Sequence, residues 1–339
     1  MYFFGKRCGA ILLSAVLFAV LVSSLLSGCR KNADIPTTME YGLFTKKIKV
    51  DGVTRRYALY IPKDIGTTPV PLVLELHGGG IYIEDMTGES GYKSPYKLWM
   101  DIANREKFIV VYPEGLNGSY GKPTWHDCRA DATVYSKADD VLFISNLIDK
   151  ISSGYAIDYE RVYVSGTSNG GLMALRLAIE LVDRLAAVAM VGAFMPAISE
   201  CKEPTKPISV LFMHGTADNH LPYNGGVLSN PPNPDHGTVY PVETAVQIWR
   251  DVDQTGDVPA VYTFADLDPN DGGTVTKYAY LNGVNGTEVV LYKIYGGGHS
   301  APSIRERYSK LYERYFGRQN HDIEMTMEIW SFFKDKRNI

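Results

Sequence analysis

Ser168 stands in Gly166-Thr167-Ser168-Asn169-Gly170, a G-x-S-x-G pattern. A serine hydroxyl is a weak nucleophile at neutral pH. Chemistry there requires a base, and the base requires an acid to orient it. Both types occur further along the chain, in the order nucleophile, acid, histidine, the order that belongs with a G-x-S-x-G turn between strand and helix. Asp218 closes His214-Gly215-Thr216-Ala217-Asp218, and His299 follows Gly296-Gly297-Gly298. His214 and His220 flank Asp218 too closely to serve with it. His236 lies in a Pro/Asn-rich loop and His321 precedes a surface helix, which leaves His299 as the base. Acyl transfer also puts negative charge on a former carbonyl oxygen, and that charge needs N–H donors. His77-Gly78-Gly79-Gly80 offers backbone that approaches a substrate closely. Gly78 or Gly79 is expected to donate, with the Asn169 N–H as second donor.

The surrounding elements must bring these residues to one edge of a sheet. An apolar run at 161–165 reads as a strand running into the Ser168 turn, and 172–181 reads as the helix leaving it. That is the strand–turn–helix setting the pattern requires. Residues 71–76, 108–112, 185–191, 208–213 and 289–295 read as further strands, and 96–106, 141–151, 242–252 and 324–334 as helices. Asp139-Asp140 supplies acidic residues at a helix start. An antiparallel hairpin is expected at 47–60 around Asp51-Gly52. Repeated βα units predict a mostly parallel sheet flanked by helices. Asp218 and His299 then fall in loops after strand C-terminal ends, where open α/β sheets hold their active sites. Two stretches read as insertions: 255–285, with a hairpin of its own, and 304–320.

The motifs HGGG, GTSNGG, HGTADNHLPYNGG and GGGH, in that order, resemble the polyhydroxybutyrate depolymerase and feruloyl-esterase-like branch of the α/β hydrolases. Trp125-His126-Asp127-Cys128-Arg129 and Asn320-His321-Asp322 resemble it as well. The resemblance runs from about Arg55 to the C-terminus. It implies an α/β-hydrolase fold and ester hydrolysis through an acyl-enzyme, without metal or cofactor. Ser168, Asp218 and His299 fall on the triad positions. His77, Trp125 and Tyr223, within the same motifs, are candidates for contacting substrate, Trp125 through its aromatic face or else as plain loop packing. The implied substrate is a polysaccharide-linked or polyester oligomer ester. Two departures stand out. Ser300-Ala301-Pro302 replaces the aromatic and Pro-Gly usual after the histidine, and 304–318 is longer than usual. A serine peptidase of the same fold and an inactive binding protein on a hydrolase scaffold are the alternatives. About 311 residues after the leader leave no room for the propeller such peptidases carry. A scaffold has no need of all three triad residues.

The 339 residues carry 45% hydrophobic and 21% charged side chains, which is globular rather than disordered composition. A net charge of −4 without a Lys/Arg run excludes a nucleic-acid groove. Residues 1–28 read as an address: Lys6-Arg7, an uncharged apolar stretch at 8–26, then Leu26-Ser27-Gly28-Cys29, which resembles the lipobox of bacterial lipoproteins. Cleavage before Cys29 and lipidation of its thiol are expected. An uncleaved membrane anchor is the alternative, and either topology exports the rest to the bacterial cell envelope. Residues 29–42 read as a tether and 43–339 as one catalytic domain. Cys128 and Cys201 remain in the folded part. In an oxidising compartment they are expected to pair, the alternative being two separate thiols.

Overall fold

The computed structural model describes residues 40–228, 233 and 235–338. The address segment, Cys29 and most of the tether lie outside the described residues. Ten strands form one sheet: β1 Gly42–Val50, β2 Val53–Ile61, β3 Val70–Leu76, β4 Ile109–Pro113, β5 Ile157–Thr167, β6 Ala187–Val191, β7 Ser209–Gly215, β8 Ala260–Thr263, β9 Thr274–Tyr280 and β10 Val289–Tyr295. Their spatial order is β1-β2-β4-β3-β5-β6-β7-β10-β9-β8. The six central strands from β4 to β10 run parallel, while β1, β2, β9 and β8 join antiparallel at the two edges. This is the expected mostly parallel sheet flanked by helices.

The central strands are apolar at nearly every position because both faces are covered. Alternate residues feed two cores. Leu72, Leu74, Val162, Val164, Val210 and Phe212 face one side, and Val73, Tyr163, Leu211 and Met213 face the other. Helices α3 Asp140–Gly154, α4 Asn169–Glu180 and α5 Val242–Asp253 cover the first face. Helices α1 Ile83–Thr87, α2 Leu98–Glu106 and α7 Met325–Phe333 cover the second. The Asp139 side chain caps α3 by accepting from the Leu142 N–H, as the acidic pair suggested.

The structure refines three of the expected stretches. The hairpin at 47–60 forms, but β1 begins at Gly42, inside the stretch read as tether. The 255–285 insertion holds the expected hairpin, and that hairpin does not stand apart. Its strands β8 and β9 extend the central sheet, because β9 pairs with β10 from Thr274–Tyr295 to Tyr280–Val289. The 304–320 insertion holds helix α6, Lys310–Phe316, capped by Ser309. No helix among the described residues is long and apolar enough to cross a membrane.

Candidate active site

Ser168 sits between β5 and α4 with φ 55° and ψ −125°. Positive φ is costly for a side chain-bearing residue and persists only when the surroundings enforce it. The enforcement is visible: the Ser168 N–H donates to the Val191 carbonyl at 2.8 Å, and its own carbonyl accepts from Leu172 at 2.9 Å. Gly166 and Gly170 face each other across the turn, where a Cβ on Gly166 would collide with the Gly170 carbonyl. The result lifts the Ser168 hydroxyl off the sheet edge, where His299 Nε2 meets it at 2.9 Å.

His299 stands after β10, and its Nδ1 lies 2.7 Å from Asp218 Oδ2. Asp218 follows β7, and its other oxygen accepts from the His220 and Leu221 N–H groups at 2.8 Å each. Burial works against the Asp218 charge. The neighbouring His299 charge and hydrogen bond, with help from His214 and Leu221, outweigh it and bring the carboxyl below its usual range. An ionised Asp218 requires the proton on His299 Nδ1, leaving Nε2 free to accept from Ser168. The three residues nominated from the sequence therefore form one hydrogen-bonded chain, with Asp218 buried and the other two reachable.

The glycine loop after β3 passes over this chain. A Cβ on Gly78 would stand 3.5 Å from the Ser168 Cβ, and one on Gly79 would stand 3.7 Å from the Asn169 Cβ. The Gly80 N–H is engaged by the Pro123 carbonyl at 2.7 Å. The Gly78 carbonyl accepts from the Ile81 N–H and from His77 Nδ1. Because the peptide bond is planar and trans, holding that carbonyl directs the Gly79 N–H the opposite way. Between the two glycines left open by the sequence, this orientation favours Gly79, paired with the Asn169 N–H at the start of α4.

His77, Trp125 and Tyr223 are buried against other residues and do not line the space around Ser168, which corrects their assignment as substrate residues. His77 is fully buried; its Nε2 accepts from the Gly115 N–H at 2.9 Å, and burial pushes its pKa down to about 4. It is a neutral prop for the glycine loop. Trp125 is also fully buried, donating through Nε1 to the His77 carbonyl and stacking on Phe143. Tyr223 donates to Glu243 at 2.6 Å, with its ring under Lys293.

Two cavities meet at Ser168 and His299. The wider, about 330 Å³, is bounded by Lys122, Tyr135, Leu172, His220, Leu228 and His236. The narrower, about 230 Å³, is walled by Tyr92, Tyr96, Tyr308 and Tyr312 with Ile81 and Asp85. Phe316 borders both. Tyr308, just ahead of helix α6, lines up with Tyr312 and Phe316 of that helix, with successive centroids 4.0 and 4.5 Å apart. Hydrophobic pattern does not foretell this wall, because charged residues interleave with the rings. Cys128 and Cys201 form the expected disulfide. Among the described residues the cluster close enough to hold a metal is Cys128, Glu180 and Cys201, and its two sulfurs are bonded to each other.

Comparison with known proteins adds the following. The family described as "Esterase PHB depolymerase" matches residues 55–203. The putative esterase NocK of Nocardia uniformis subsp. tsuyamanensis is 31% identical over 286 residues, 80% of this chain and 76% of that protein. Feruloyl esterase D of Neurospora crassa is 27% identical over 302 residues, 87% of this chain and 89% of that one. A solved structure described as a thermostable esterase shares the fold with a TM-score of 0.52 at 15% identity, covering 87% of this chain and 63% of that chain.

Proposed function

This chain belongs to the PHB depolymerase family of esterases and is a carboxylic-ester hydrolase, and we propose that it works through an acyl-enzyme on Ser168. The observation that carries the proposal is the Ser168–His299–Asp218 chain, with contacts of 2.9 and 2.7 Å, at the meeting point of two cavities. As Ser168 Oγ bonds to the ester carbonyl carbon, His299 Nε2 takes its proton and Asp218 stabilises the imidazolium. The carbonyl oxygen becomes an oxyanion and receives the Gly79 and Asn169 N–H groups. Collapse breaks the bond to the alcohol, which leaves with the proton from His299. Water then repeats the sequence on the acyl-enzyme and frees the acid.

The substrate we propose is an ester with an aromatic acyl group. A chamber of about 230 Å³ walled by four tyrosines supports this, being larger than an acetyl group needs and faced with ring surfaces. A relative named feruloyl esterase D supports the same class. The wider chamber then takes the alcohol, with room for a sugar. The test offers methyl ferulate, p-nitrophenyl acetate and a hydroxybutyrate oligomer to the wild type and to Ser168→Ala. Ser168-dependent hydrolysis with the highest kcat/KM on ferulate is expected. Higher kcat/KM on acetate or on the oligomer would overturn the aromatic reading. Equal activity in the variant would overturn the acyl-enzyme itself.

We also propose that the enzyme is exported and held at the membrane by a lipid on Cys29. Lys6-Arg7, the uncharged stretch at 8–26 and Leu26-Ser27-Gly28-Cys29 support this. The Cys128–Cys201 disulfide suits an oxidising compartment.

A further inference from the structure

We infer that the buried Asp127–Arg129 pair is a positioning device for the oxyanion hole, acting on the Asn169 N–H through the Asn169 side chain. The inference rests on the acyl-enzyme reading above. Asn169 is the first residue of α4, so its backbone N–H has no partner within the helix and points outward from the helix start. Its side chain turns the other way and is fully engaged. Oδ1 accepts from the Trp125 N–H at 2.7 Å, while Nδ2 donates to the Trp125 carbonyl at 3.0 Å and to Asp127 Oδ2 at 2.7 Å.

Asp127 has no exposed surface, and Arg129 clasps it with a fork, Nε to Oδ1 at 2.9 Å and Nη2 to Oδ2 at 2.6 Å. The loop carrying the pair is fixed from both sides. Arg176 of α4 donates to the His126 and Asp127 carbonyls at 3.1 and 3.3 Å, and Cys128 between the pair is bonded to Cys201. A carboxylate alone behind the site would oppose the developing oxyanion. The guanidinium cancels that charge, so the pair fixes Asn169 without an adverse field. Displacing an N–H by a fraction of an ångström weakens the transition state far more than the bound ester, because the donor acts mainly on the oxyanion.

The test measures kcat and KM on p-nitrophenyl butyrate, and the inhibition constant of an alkyl trifluoromethyl ketone, for Asn169→Ala, Asp127→Asn and Arg129→Met. The ketone adds to Ser168 and mimics the tetrahedral oxyanion. For Asn169→Ala and Asp127→Asn, kcat is expected to fall about 10–100-fold with KM nearly unchanged, and ketone affinity to fall in proportion to kcat/KM. Arg129→Met should be slower than Asp127→Asn, because it leaves the carboxylate uncompensated. Normal kcat and ketone affinity with only a lowered Tm would mean the pair merely holds the loop, and would overturn the inference. If the pair variants do not fold, Asn169→Ala, which leaves the pair intact, decides alone. A wild type without Ser168-dependent turnover removes the acyl-enzyme reading and this inference together. Wild-type turnover with unchanged variants removes only this inference.

Discussion

At the residue scale, chemistry made the triad legible. A serine nucleophile demands a base and an acid of definite types, and the chain order of the fold narrows the choice to Asp218 and His299. His77 and Trp125 were misread for a physical reason. A histidine beside a glycine loop has the same sequence signature whether it touches substrate or props the loop. The deciding partner, the Gly115 N–H, lies 38 residues away. Glu75 was not legible at all. It lies on β3 opposite Ser165 of β5, fully buried, accepting from Trp99 Nε1 at 2.8 Å, and its second oxygen has no partner among the described residues. Burial pushes its carboxyl from 4.5 up to about 7, against the hydrogen bond from Trp99. The folded state therefore holds this proton more tightly than the unfolded chain, and stability falls as pH rises from about 4.5 through about 7. Glu75→Gln keeps an acceptor for Trp99 and removes the charge. It should gain about 1–3 kcal/mol over the wild type at pH 8 and little at pH 4.5, read as the Tm difference at the two pH values. An equal difference at both would show that Glu75 does not titrate in this window.

At the element scale, the strands and helices that carry the triad followed from hydrophobic pattern. β5, α4, β7 and β10 each match an apolar run of the expected kind. Helix α6 did not, because Tyr312 and Phe316 form its aromatic stripe, with Tyr308 just ahead of it, and Lys310, Glu313 and Arg314 break the run between the rings. The hairpin of β8 and β9 was expected, but not its place at the edge of the central sheet, because β8 is exposed along its whole length. Helix α6 also reaches the catalytic loop, where the His299 N–H donates to the Phe316 carbonyl. Removing one ring from the stripe should therefore change selectivity more than basal chemistry. Tyr312→Ala should lower kcat/KM for methyl ferulate about tenfold through lost aromatic contact, with p-nitrophenyl acetate nearly unaffected. Equal losses on both substrates would place α6 in support of His299 rather than in recognition.

At the scale of the whole molecule, one sheet edge gathers four loops: the glycine loop after β3, the Ser168 turn after β5, the Asp218 loop after β7 and the His299 loop after β10. This is the carboxyl edge of the parallel strands, where the topology leaves room between diverging connections. The antiparallel edges take no part in it. The mostly parallel architecture was legible because six strand signals alternate with helices; the ten-stranded width was not. The proposed address is a separate claim about the whole chain. Cys29→Ser should shift the protein from the membrane fraction to the soluble fraction, read by fractionation of expressing cells. Retention in the membrane fraction would instead favour the uncleaved anchor.

The central claim is that Ser168 is the nucleophile, and one rate tests it most directly: p-nitrophenolate release from p-nitrophenyl butyrate by Ser168→Ala beside the wild type, both shown folded by matching circular dichroism. Loss of the attacking oxygen should cut kcat by about 10⁴–10⁶-fold, leaving only what binding and the oxyanion donors contribute. A variant that keeps wild-type turnover would contradict the account.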